Sequence, residues 1–85
     1  MKALFTNSFK QDCRNAAKRH WKINKLENIM HELEVGKKYN SHTLKGDFLG
    51  CCELHIEFDW ILICKIIGSE IKYIRTGTHS NILNV

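Results

Sequence analysis

Histidines and carboxylates are the groups of this chain most suited to chemistry. The five histidines are His20, His31, His42, His55 and His79. His20 and His31 fall on or beside helical patterns and read as surface or satisfied core residues. The other three differ. His42 lies in a polar stretch, and His55 lies among alternating apolar residues beside Glu53. His79 follows Gly77 at the end of a strand-like run, and Asp59 precedes another such run. Imidazoles titrate near pH ~6.5, so they give and take protons at neutral pH. On an RNA substrate, one such group takes the 2′-hydroxyl proton and another protonates the leaving 5′-oxygen. A cation then stabilises the phosphorane, and Lys45 and Arg75 are the candidates for it. Two other readings stay open at this point. One is a metal site of three histidines and a carboxylate, although no H-E-x-x-H is present. The other is a set of unrelated surface histidines.

These side chains need elements that bring them together. Ala3-Leu4-Phe5-Thr6 reads as a short strand. Ser8 with Gln11 reads as a capping box opening a first helix that runs to about Arg19. Phe9, Cys13, Ala16 and Ala17 recur there at helical spacing. Asn24 with Glu27 suggests the N-cap of a second helix with a Leu26, Met30 and Leu33 stripe. Gly36 stands at its expected stop. Lys37 to Gly50 lacks apolar periodicity and reads as a loop with a turn. Then the period changes to two. Cys52, Leu54, Ile56 and Phe58 alternate with Glu53, His55, Glu57 and Asp59, which places Glu53, His55 and Glu57 on one polar face. Trp60 to Ile67 reads as a central strand, Gly68-Ser69 as a hairpin turn, and Glu70 to Thr76 as the next strand. The order predicts an α+β fold. Two N-terminal helices pack on one face of a small, mainly antiparallel sheet, β-α-α-β-β-β with a short extra C-terminal strand allowed. The opposite face is left open.

Composition bounds the class. The chain has 85 residues, 44% of them hydrophobic, with no proline. That is one small domain over residues 1–85, too apolar for disorder and too short for a large enclosed cofactor pocket. Its longest apolar run, Trp60 to Cys64, is far below the ~20 residues of a membrane span. The four cysteines form no C-x-x-C pair and read as reduced thiols of a cytoplasmic protein; a two-disulfide secreted domain is the competing reading. Thirteen basic residues against nine acidic ones leave a net +4. Residues 1–45 hold ten Lys/Arg and four Asp/Glu, a net of +6, whereas residues 46–85 hold three and five, a net of −2. A basic half suits a polyanionic partner such as nucleic acid.

Three strings in order carry a resemblance. They are His42-Thr-Leu-Lys-Gly46, Glu53-Leu-His-Ile-Glu-Phe-Asp-Trp-Ile-Leu-Ile63, and Arg75-Thr-Gly-Thr-His-Ser80. Together they resemble the YafQ branch of the RelE superfamily, toxins of type II toxin–antitoxin systems. The resemblance implies a ribosome-dependent endonuclease that enters the A site and cuts the mRNA codon there, with no metal or cofactor. It implies a cognate antitoxin as partner, and operator DNA bound only through the antitoxin complex. The implied catalytic set is His42, His55, His79, Glu53 and Asp59. His42 or Asp59 is the implied base, His79 the acid, and His55 the group that orients or stabilises charge with Arg75. Lys45, Lys18, Arg19, Lys22 and Lys25 are implied phosphate contacts. The chain also departs from the pattern. Glu53 stands where Asp is common, Cys52 replaces an Arg, and Phe58 replaces a Pro. Leu83 replaces an aromatic that would stack on a base. These departures leave a second reading: a catalytically weakened homologue that binds antitoxin or ribosome without efficient cleavage.

Overall fold

Long apolar runs with period-two alternation pair into a sheet, and the two amphipathic segments before them cover one of its faces. The computed structural model describes residues 1–83. In chain order the elements are β1 (Lys2–Phe5), α1 (Asn7–Lys18), α2 (Ile23–Glu34), β2 (His42–Thr43), β3 (Cys52–Glu57), β4 (Trp60–Ile67), β5 (Glu70–Gly77) and α3 (His79–Leu83). The sheet order is β1-β5-β4-β3-β2. Every neighbouring pair is antiparallel except β1 with β5, which is parallel from Lys2↔Glu70 to Phe5↔Tyr73. The α+β architecture read from the sequence is therefore the observed one. No helix of the described residues is long and apolar enough to cross a membrane.

The central strand β4 shows why the fold holds. Its residues alternate between two apolar clusters. Trp60, Leu62 and Cys64 join Phe9, Leu26, Leu33, Leu54, Ile71 and Tyr73 beneath the helices. Ile61 and Ile63 point the other way, onto Cys51 and Ile82, with Leu44, Phe48, Ile74 and Leu83 around them. Ile61, Leu62 and Ile63 are fully buried, each adding about 1.5–3 kcal/mol of burial. Tyr73 ties the layers together: its one hydroxyl proton goes to Glu34 Oε2 at 2.7 Å, with Met30 O also in reach at 3.1 Å. Burial, then the Glu34 hydrogen bond, pushes that phenol well above its ordinary range.

Several local expectations are corrected. The first helix is capped by Thr6, whose Oγ1 accepts from the Phe9 amide at 2.9 Å, not by Ser8. Thr6 also donates to Ile74 O at 2.7 Å, so β5 selects the capping residue. The second helix starts at Ile23, before Asn24, and no side chain caps it. Gly36 does end it, at φ 93°. The stretch Lys37–Gly50 is not all loop: His42 and Thr43 pair with β3, and Gly46–Phe48 form a 3₁₀ turn. No C-terminal strand extends the sheet over the described residues; His79–Leu83 is a helical turn instead. Ile82 explains it, since this turn lets it bury over Ile61 and Ile63. The face opposite the long helices is thus partly covered, and the histidines occupy the remainder.

Candidate functional site

Strand pairing assembles the site. His42 is the register partner of Glu53, so β2 delivers one histidine beside the β3 carboxylate. Glu53 and His55 project from the same face of β3, with Leu54 turned into the helix-side core. Gly77, at φ 154°, ends β5 with a Cβ-free backbone against Ile82 and turns the chain into α3. His79 opens that helix, over the ends of β3 and β4.

His79 is the hub. Its Nδ1–H donates to Asp59 Oδ1 at 2.9 Å, and its Nε2–H donates to Glu53 Oε1 at 2.8 Å. The His79 backbone amide also donates to Asp59, at 3.3 Å. An imidazole gives protons to two carboxylates only as the imidazolium. The hydrogen bond to Asp59, then the one to Glu53, accordingly holds the His79 pKa above the usual imidazole value. The same contact with His79 holds Asp59 below the usual carboxylate value. Glu53 is 7% exposed. A buried carboxylate must be compensated, and a second imidazole contributes: His55 Nε2 stands 3.0 Å from the same Oε1. The His55 ring lies 5.3 Å from that of His79 and 6.4 Å, edge-on, from that of His42. The three histidines and two carboxylates anticipated from the sequence therefore lie together.

One atom each of Glu53, His55 and His79 fall within 4.8 Å of one another, a spacing that admits a metal ion. In the present arrangement both imidazole Nε2 atoms meet the one Glu53 oxygen, at 2.8 Å from His79 and 3.0 Å from His55. A metal there would displace the His79 Nε2 proton.

Other candidates are placed differently. Glu57 leaves the polar face, because the β3–β4 register shifts between His55 and Glu57; it pairs with Lys25 of α2 at 2.7 Å. The Arg75 guanidinium is held by Asp12 of α1 through Nε at 2.6 Å and Nη2 at 3.2 Å. Asp12 also accepts from the Thr76 amide at 3.1 Å. Sequence reasoning passed over Asp12, because 63 residues separate it from Arg75 and nothing local marks the pair. Lys45 is exposed at the start of the 3₁₀ turn. Leu83 is half-buried against the second apolar cluster. Lys18, Arg19 and Lys22 are exposed around the end of α1, with Arg19 lying 5.7 Å over the Trp21 ring. The cysteines are free.

Known proteins resemble this chain in sequence and fold. Residues 1–84 match the family described as the bacterial toxin of type II toxin–antitoxin system, YafQ. An mRNA interferase toxin YafQ of Escherichia coli strain K12 is 35% identical over 81 residues, covering 89% of this chain and 88% of that protein. The crystal structure of YafQ from E. coli strain BL21(DE3) superposes with a TM-score of 0.90 at 31% identity, over 95% of this chain and 96% of that one. A chain of the E. coli DinJ–YafQ toxin–antitoxin complex gives 0.84 at 32% identity, over 95% of this chain and 94% of that one.

Proposed function

The chain belongs to the YafQ family of type II toxins and is by class an mRNA interferase, an endoribonuclease; from that premise we propose that it cuts mRNA in the A site of translating ribosomes, by acid–base catalysis without a metal. The observation that carries the proposal is the His79 imidazolium held between Glu53 and Asp59. It is a ready acid. The 2′-oxygen attacks phosphorus as its proton passes to a base, the P–O5′ bond breaks, and His79 protonates the departing oxygen. Asp59 makes a poor base, since its pKa is depressed and its Oδ1 is already committed to His79. Of the two implied bases, this reading takes His42. His55 shares the Glu53 oxygen and steadies the charge on the phosphorane. Arg75 is held by Asp12 and Lys25 by Glu57, so the phosphate contacts fall to Lys45, Lys18, Arg19 and Lys22. A small chain with an open site needs an external template to hold RNA ready for attack, and the ribosome serves as one.

The intact histidine–carboxylate network favours cleavage over the weakened-homologue reading. The partner is a cognate antitoxin, as in the DinJ–YafQ complex, acting with the toxin in the cytoplasm; operator DNA is met through that complex. The test is cleavage of a reporter mRNA with and without ribosomes, using toxin stripped with EDTA and then given ribosomal Mg²⁺. Cutting is expected only with ribosomes. Equal cutting of naked RNA, or a strict need for added zinc, would overturn the proposal. Alanine at His79 is expected to abolish cutting, and His31→Ala to leave it unchanged.

A further inference from the structure

Phe58 stands in the β3–β4 turn and is 97% exposed, more than any other large hydrophobic residue described. It adds no burial to the fold. Yet it does not stand alone. It lines an open cavity of about 540 Å³ together with His20, Trp21, Lys22, Asp59 and Thr78. That volume lies within the ~300–1,000 Å³ of ligand clefts. Asp59 belongs both to this cavity and to the His79 network, and Thr78 immediately precedes His79. The cavity therefore borders the His79 network through Asp59. Both acids of the lining are paired from outside it, Glu57 with Lys25 at 2.7 Å and Asp59 with His79 at 2.9 Å, which leaves the exposed Lys22 as the uncompensated charge of the lining.

A free aromatic face beside a cation is the arrangement that holds single-stranded nucleic acid. Leu83, by contrast, has no π-face and is turned toward Ile82 and its cluster. We propose that Phe58 is a stacking platform for an unstacked message base next to the scissile phosphate, with Lys22 meeting the adjoining phosphate. The inference rests on the ribosomal nuclease reading and adds to it where the RNA lies.

Single-turnover cleavage of programmed ribosomes tests it, measured against toxin concentration. Stacking that holds ground state and transition state alike changes half-saturation and spares the maximal rate. Phe58→Ala should raise the half-saturating concentration about 5- to 100-fold. Phe58→Trp should restore wild-type behaviour, and Phe58→Leu should not. Melting temperature and antitoxin affinity should stay unchanged in all three. Wild-type half-saturation in Phe58→Ala, or in Phe58→Leu, would overturn the inference while leaving the nuclease reading intact. Loss of antitoxin affinity with cleavage unmoved would assign this surface to a protein partner and overturn it equally. A wild-type chain that cuts nothing on ribosomes would remove the parent reading, and this one with it.

Discussion

His79 holds a proton on each ring nitrogen for as long as both carboxylates grip it, and this links catalysis to pH in a definite direction. Its folded pKa is raised, chiefly by Asp59 and then by Glu53. The stabilisation from these contacts is complete below the ordinary imidazole range and is lost as pH rises through the raised value. Cleavage should fall over that same alkaline interval, as the acid form disappears. Asp59→Asn removes the largest cause of the shift, so the alkaline limb of the rate–pH profile should move to lower pH. An unmoved limb would show that another group sets it. Asp59 itself works in the opposite sense. Its pKa is depressed, so its stabilising contribution is present above the ordinary carboxylate range and lost as pH falls through the lowered value. Much of this was legible in the residues. Alternation put Glu53 and His55 on one face, and the short Gly77–His79 spacing put the last histidine at a strand end. Glu57 was misplaced because a register shift carries no mark in apolar periodicity. Arg75 looked like a free cation because its partner lies on a distant helix.

Helix ends and strand edges were the least readable elements, for a tertiary reason. Two hydroxyl residues, Thr6 and Ser8, suit an N-cap, and a carbonyl of β5 decides between them. At the other end of α1 the chain closes with bonds from the His20 amide to Ala17 O at 3.0 Å and from the Trp21 amide to Ala16 O at 3.0 Å. This closure places His20 at φ 61°, the conformation that glycine takes without cost. A side chain there costs roughly 1 kcal/mol. His20→Gly should therefore raise the melting temperature by about 4–8 °C in thermal unfolding. No change would mean the histidine makes a compensating contact. The clamp from α1 to β5 works the other way. Asp12→Ala breaks two bonds to Arg75 and one to the Thr76 amide, leaving a half-buried guanidinium without its acid. A loss of about 2 kcal/mol is expected, or roughly 8–16 °C in melting temperature. Double-mutant analysis with Arg75→Ala should give a clear coupling energy. The two-residue β2 escaped the sequence reading because it is too short for any period, although it places His42 opposite Glu53.

Over the whole molecule, charge is sorted along the chain: a net +6 over residues 1–45 and −2 over the remainder. An acidic antitoxin segment that wraps the basic part should bind more weakly as salt rises, and its association rate should fall first. Isothermal titration across a salt series checks this; an affinity indifferent to salt would point to an apolar contact instead. The order of layers was legible because apolar periodicity changes once, near residue 51. The parallel pairing of β1 with β5 was not, because a four-residue strand carries no sign of its direction. That pairing joins Lys2 to Glu70, so the first strand made must wait for the last. A chain cut short before β5 leaves β1 without a neighbour and the central strand with one open edge. It also lacks His79, which follows β5 directly. Synthesis of this nuclease therefore carries its own interlock on the proposed reading: the step that completes the sheet also delivers His79, so a prematurely released fragment should be unable to cut.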